Sequence, residues 1–347
     1  MSAPDAANPY PLVFEPILKP KVWGGRRLAG LGKALPPSEL IGESWELADL
    51  ATTSAGGGGG GAEHSRIANG SLAGHTLRDA IQLWQQRLLG GTRLSNEGGF
   101  PLLVKYLDAR EHLSVQVHPS PEYAARHPSA HLKTECWFVV EAEPGSVIYK
   151  GLRPGVTHAD VEYALTRTPH GAGVVELLEQ HTAHTGDLHH LPSGTPHALG
   201  AGVLVAEVQT PSDTTFRVYD WTKEYMRTPR ELHITQALQS LLIEPPPQAS
   251  RLPVGAQHAE LLRTPYFDIA QVQLSPDQRF DLPTEDADRP VVVMPINAAV
   301  RVETGAATVD LQRGATALIP AACVRNARLH ADAMVSLLLA RPGLNRS

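Results

Sequence analysis

Gln116 and His118 stand two residues apart in the run LSVQVHPS, among β-branched and apolar neighbours. Alternation puts both side chains on one face of a strand. The chain then returns as LKTECWFVVEAEPG, with Glu135 opening a run that reads as strand to Val140. Further on, GDLHHLPSGTPHALGA sets Gly186, Pro192 and His197 at the spacing Gly, five residues, Pro, four residues, His. Gly186 permits the bend that starts a strand, Pro192 marks a point where the ladder needs no N–H donor, and His197 lands on the next strand facing inward. Two imidazoles, a carboxylate and an amide oxygen form an N/O donor set suited to Zn, Mn, Fe or Co. The absence of Cys from the set disfavours a closed structural zinc and suggests a metal with an open, catalytic position.

The sequence holds sixteen histidines, and a strand histidine is commonly hydrogen-bonded or on the surface rather than a ligand. His189 and His190 precede Pro192 on one strand, so one of them faces inward in either register. His197 is preferred because Q-x-H, the returning Glu and the Gly–Pro–His phrase occur in the order of a cupin barrel. The phrase resembles the second half of the cupin metal pattern, with Ala201 where the usual closing Asn stands.

At 347 residues the chain is long enough for two domains with substantial cores. Abundant Gly and Pro suit many short strands joined by tight turns. No run of eighteen apolar residues exists, and the N-terminal MSAPDAANPYP lacks a basic region followed by an apolar stretch, which predicts no membrane partner. Two cysteines, Cys136 and Cys323, imply no disulfide framework, and the cytoplasm is the expected compartment. A formal charge of −6 leaves no basic footprint for nucleic acid, so an anionic substrate must be met by a local cluster of Lys and Arg.

The elements around these residues are mainly β. Short strands are expected in PLVFEPILKPKVWGGRRL and GESWELADL, after which Gly56–Gly61 read as a surface loop, with no Lys or Ser/Thr at phosphate-loop spacing. Helices are expected over about 76–89, capped by Thr76, over 157–180 as an insertion interrupted at Thr168–Pro169, and over 229–242. The Pro-rich 244–257 reads as a linker between a metal-binding domain, 1–243, and a C-terminal domain, 258–347. Gly314 to Pro320 repeats the Gly186 to Pro192 spacing, but Arg325 stands five residues beyond Pro320. The expected fold is two cupin (jelly-roll) β-barrels with a helical insertion, the second barrel lacking the metal ligand.

The chain resembles the type I mannose-6-phosphate isomerases in their shorter bacterial form, through FEPILKPKVWGG, IGESWELAD, PLLVKYLDAREHLSVQVHP, KTECWFVV and LPSGTPHALGAGVLVAEVQTPSDTTFRVYDW. The resemblance implies one zinc ion held by Gln116, His118, Glu135 and His197. It also implies that Lys133, Glu207, Asp213, Arg217 and Lys223 surround a phosphorylated hexose, with Ser114 near the phosphate. Physical reasons support some of these. Lys133 lies two residues before Glu135, so it shares the inward face, a costly place for a cation unless an anion is expected. Arg217 offers a planar fork for phosphate or an enediolate, and Asp213 could orient it. Leu199 stands where longer family members carry an aromatic.

The activity that the resemblance implies is interconversion of mannose 6-phosphate and fructose 6-phosphate by proton transfer through a cis-enediol. Glu207, Asp213, Lys133 or a metal-bound water could move the proton. Two other readings compete: a different cupin metalloenzyme such as a non-haem iron dioxygenase, and a non-catalytic sugar-phosphate-binding bicupin. Lys133, Asp213 and Arg217 near the metal set favour catalysis over the second, because a structural metal needs no phosphate-seeking cluster.

Overall fold

In the computed structural model, which describes residues 8–54, 59–127, 129–285, 287–305 and 307–343, strands alternate inward and outward residues so regularly that three of the sheets each face two different apolar interiors. The first is a six-stranded antiparallel sheet ordered Leu188–Leu191, Glu135–Ala142, Val203–Gln209, Leu103–Ala109, Ile41–Leu47, Ile17–Gly25. Facing it is a five-stranded sheet ordered Leu178–Thr182, Val147–Leu152, His197–Leu199, Val115–Val117, Phe216–Tyr219. Trp137, Val139, Leu107 and Val205 from the first pack against Ile148 and Leu199 from the second. Helices cover the outer side of the five-stranded sheet, where Val161, Leu165, Val174 and Ala237 meet Val115, Val117 and Ala198.

The outward phase of the six-stranded sheet is equally apolar. Tyr106, Phe138, Leu204 and Val208 pack with Val292, Met294, Leu338 and Ala340 of a second six-stranded sheet, so the two halves of the chain share one core. Burying each such side chain contributes about 1.5–3 kcal/mol. The second sheet runs Leu12–Val13, Ala317–Ile319, Val291–Pro295, Val335–Pro342, Phe267–Leu274, His258–Arg263, and a four-stranded sheet closes its far side. Leu12–Val13 pairs with Ala317–Ile319, so the start of the chain crosses the expected division at 243 and completes the C-terminal half.

The helix expectations need three adjustments. Thr76 caps Leu77–Trp84 in a reciprocal capping box with Asp79, but Gln85, at φ 47°, separates this helix from Gln86–Leu89. Within 157–180, His158–Arg167 stops before Pro169, a short helix Val174–Leu177 follows, and Leu178–Thr182 is instead a strand paired with Val147–Leu152. Within 229–242 only Ile234–Ser240 is helical, because His233 N–H donates to the Arg217 carbonyl at 2.8 Å and holds the segment before it against a sheet edge.

The Pro-rich 244–257 stretch is bonded to the first half rather than freely spanning the two. Lys150 Nζ donates to the Pro247 carbonyl at 2.6 Å, and the Arg251 guanidinium pairs with Asp187. Gly56–Gly58 lie outside the described residues, and Gly59–Gly61 are exposed. Arg325 ends the short helix Ala321–Val324 and is exposed, where the first copy of the spacing places His197 on an interior strand.

Candidate active site and metal centre

Antiparallel register carries the site. His197 lies opposite Gln116, and Arg217 lies opposite Gln116 from the other side, so three strands of one sheet deliver them to one interior. Across that interior, Glu135 pairs with Gln209 and Trp137 with Glu207. His118 follows the Val115–Val117 strand directly. Gly186 adopts φ 91° at the turn before Leu188–Leu191, a backbone conformation that suits glycine. Gly194, in the turn leading to His197, approaches the Ser240 carbonyl so closely that a Cβ would sit 2.4 Å from its oxygen.

Ligand atoms of His118, Glu135 and His197 lie within 4.8 Å of one another, and all three residues are buried. His118 Nδ1 stands 3.0 Å from the Thr214 carbonyl oxygen and His197 Nδ1 2.8 Å from that of Thr195. A carbonyl only accepts, so each Nδ1 carries the proton and each Nε2 presents a lone pair. These lone pairs converge on Glu135 Oε1, at 3.5 Å from His118 and 3.2 Å from His197. Gln116 Nε2 is 3.1 Å from His197 Nε2, which brings the amide into the same group. His118 Nε2 and Glu135 Oε1 are buried and hydrogen-bonded to nothing. The facing lone pairs of His118 Nε2 and Glu135 Oε1, with no donor between them, are unfavourable until a cation takes them.

Burial, reinforced by the charge of Lys133, pushes the His118 imidazole down to about 3, so it stays neutral and able to ligate. Burial acts to raise the Glu135 carboxyl, but Lys133, 2.8 Å from its Oε2, and the adjoining imidazoles hold it well below the usual carboxylate range. The donor set is therefore in its ligating form. Its residues fit a metal.

Above these ligands opens a cavity of about 610 Å³, lined by Ser114, Gln116, Lys133, Glu207, Asp213 and Arg217 among the sequence-derived candidates. Glu207 is rigidly held: Oε2 accepts from Trp137 Nε1 at 2.8 Å and Oε1 pairs with Lys105 Nζ at 3.0 Å. Two expectations change. Asp213 accepts from the Ser54 backbone N–H at 2.7 Å, while the Arg217 guanidinium donates to the Glu231 carbonyl at 2.9 Å; the side chain that orients Arg217 is not Asp213. Lys223 sits exposed in the turn after Phe216–Tyr219 and does not line the cavity, because the chain has already left the sheet there. Leu199 is fully buried, and Trp23, Trp45, Leu107, Leu113 and Phe216 form the apolar part of the wall.

Sequence reasoning missed Lys21, Glu43 and Lys105, which also line the cavity. Glu43 accepts from Trp45 Nε1 at 2.7 Å and pairs with Lys21 at 3.3 Å and Lys105 at 3.8 Å. Burial opposes its charge, yet Lys21 and Lys105 outweigh burial and hold it at about 2. Burial likewise acts to lower Lys105, and Glu207 with Glu43 reverses the sign, raising it above the usual lysine value. A signal existed: Glu43 in IGESWELAD and Lys105 in PLLVKYLDAR share a strand phase with Trp45 and Leu107, charges on a face that alternation turns inward.

The type I phosphomannose isomerase catalytic domain matches residues 12–143 of this chain. A mannose-6-phosphate isomerase of Bacillus subtilis is 36% identical over 273 residues, covering 76% of this chain and 80% of the relative. One from Streptococcus mutans is 35% identical over 277 residues, covering 76% of this chain and 79% of its own length. Among solved structures, the mannose 6-phosphate isomerase of Bacillus subtilis superposes with a TM-score of 0.78 at 26% identity, covering 96% of this chain and 99% of the other, and the fold is accordingly cupin-type. With a third of its residues shared over most of each relative's length, and its fold superposable over nearly the whole chain, this protein belongs to the type I phosphomannose isomerase family.

Proposed function

We propose that the protein interconverts mannose 6-phosphate and fructose 6-phosphate at the cavity above His118, Glu135 and His197, with zinc as the metal. The observation that carries this reading is the convergence of buried, unpaired acceptor atoms at the base of a cavity lined by Lys21, Lys105, Lys133 and Arg217. Family membership supports the same substrate pair. Gln116, His118, Glu135 and His197 would hold the ion, which when bound supplies a Lewis acid that polarises the sugar carbonyl and C2 hydroxyl.

The chain's own residues divide the remaining work. Lys133, beside Glu135, places positive charge where an enediolate develops, and Arg217 offers its guanidinium fork to the phosphate. Glu207 is the proton carrier between C2 and C1 in this proposal, because Trp137 and Lys105 fix both its oxygens beside the cavity. Asp213, bonded to Ser54, and Lys133, paired with Glu135, line the same cavity and are the alternative carriers. Trp23 and Trp45 exclude water around the sugar. The N-terminal half carries the chemistry and the C-terminal half backs its sheet, which is how the division at 243 enters this reading. No helix among the described residues is long and apolar enough to cross a membrane; a cytoplasmic location is part of the proposal.

Turnover of mannose 6-phosphate in deuterated water, followed by mass spectrometry, tests the reading. Solvent deuterium is expected at C1 of fructose 6-phosphate or C2 of mannose 6-phosphate. Complete retention of a C2 label over many turnovers would remove the proton route, and oxygen consumption in place of isomerisation would favour the dioxygenase alternative.

A further inference from the structure

The cations that line the cavity are nearly all matched. Lys21 pairs with Glu43 at 3.3 Å, Lys105 with Glu207 at 3.0 Å, Lys133 with Glu135 at 2.8 Å, and Arg230 Nε donates to Asp220 at 2.7 Å. Arg217 differs: among the described residues no carboxylate stands within 4.0 Å of its guanidinium, and its Nε is buried without a hydrogen-bond partner. A half-buried guanidinium with a buried, unbonded Nε and no carboxylate beside it is suited to meet an anion in the cavity.

Arg217 does not face that anion alone. His233 lines the same cavity, and it is strapped to both polar groups of the Arg217 peptide. Its backbone N–H donates to the Arg217 carbonyl at 2.8 Å, and its ring Nδ1 is 3.3 Å from the Arg217 backbone nitrogen. A backbone N–H only donates, so Nδ1 is the acceptor and the neutral ring must carry its proton on Nε2. Burial, then the Arg217 charge, lowers this imidazole below its ordinary value, which keeps that tautomer at neutral pH. The Glu231 carbonyl meanwhile holds Arg217 Nη1 at 2.9 Å, so the same short segment fixes the guanidinium and holds His233 on the wall of the same cavity.

We propose that His233 is a second phosphate ligand next to Arg217, donating from Nε2, and that it sets the preference for a phosphorylated over an unphosphorylated hexose. The proposal rests on the isomerase reading of this cavity. It replaces Lys223, which stands outside the lining, with a residue that the sheet edge positions.

The test uses His233→Phe, which keeps a ring but removes the donor, and His233→Gln, which retains an N–H. Inorganic phosphate binding is measured by calorimetry, together with kcat/KM for mannose 6-phosphate and for mannose. His233→Phe is expected to weaken phosphate binding about ten- to a hundredfold and to lower the ratio of the two kcat/KM values by a similar factor, with His233→Gln recovering most of both. Unchanged phosphate affinity in His233→Phe overturns the assignment. Equal losses for both sugars, or no recovery in His233→Gln, also overturn it, because those describe a structural role. If the parent protein fails to turn over mannose 6-phosphate, the isomerase reading falls, while the calorimetric comparison still decides whether His233 binds phosphate.

Discussion

At the scale of single residues, the chemistry follows from which atoms lack partners. His118 and His197 each spend Nδ1 on a backbone carbonyl, so each Nε2 presents its lone pair to the shared centre, where His118 Nε2 has no hydrogen-bond partner and His197 Nε2 meets only the Gln116 amide. His197→Ala is therefore expected to lose bound metal, read by elemental analysis, while keeping its near-ultraviolet circular dichroism; full metal occupancy would remove His197 from the ligand set. Glu43 makes a different prediction. Its carboxyl is lowered from 4.5 to about 2 in the folded chain, so its ion pairs with Lys21 and Lys105 stabilise the protein above pH 4.5 and lose that contribution as pH falls toward 2. The shift corresponds to on the order of 3 kcal/mol. In Glu43→Gln the fall in stability between pH 4.5 and 2 should be shallower than in the parent, measured by urea unfolding at each pH. An equally steep fall would show that Glu43 does not drive it.

At the scale of elements, strand phase does the sorting. Along Glu135–Ala142 the inward residues are Glu135, Trp137 and Val139, while Cys136, Phe138 and Val140 belong to the core behind the sheet. Along Val203–Gln209, Val203, Val205 and Glu207 face inward and Leu204, Ala206 and Val208 face back. Trp137 joins the two sets of duties: it packs in the interior and orients Glu207 through Nε1. Trp137→Phe keeps most of the packing and deletes that N–H. The expected result is a drop in kcat of roughly tenfold with a thermal midpoint shifted by only a few degrees. A kcat equal to the parent's would mean that Glu207 needs no help from Trp137.

At the scale of the whole molecule, the two six-stranded sheets share one apolar core, so the C-terminal half stabilises the sheet that carries Glu135 and Glu207 without contributing to the cavity lining. Leu12–Val13 reinforces this by pairing into the C-terminal sheet before the chain enters the first one. Phe138→Ala, deep in the shared core, is expected to cost about 3–5 kcal/mol of unfolding free energy. The loss should appear as one cooperative transition in both near-ultraviolet signal and activity. Separate unfolding of the two halves in the parent would contradict a single shared core.

The sequence by itself determined the mainly β class, the order of the candidate metal ligands and the shared strand face of each pair, because a period of two is a local property that alternation writes directly into residue order. Alternation put Gln116 with His118 and Lys133 with Glu135 on shared strand faces, and the structure gathers His118, Glu135 and His197 at one point with Gln116 beside them; Glu207 and Arg217 entered through the family resemblance. Tertiary structure decided what local pattern cannot express. Lys223 lies only six residues past Arg217, yet the chain leaves the sheet between them and carries it away from the cavity. Leu178–Thr182 became a strand because Val147–Leu152 offered an edge to pair with. His233, Glu43 and Lys105 entered the site through pairings between distant segments, such as Trp45 with Lys105 and the hydrogen bonds that join His233 to Arg217. Such neighbours are set by sheet register across long stretches of chain, and register is fixed only when the apolar faces find one another.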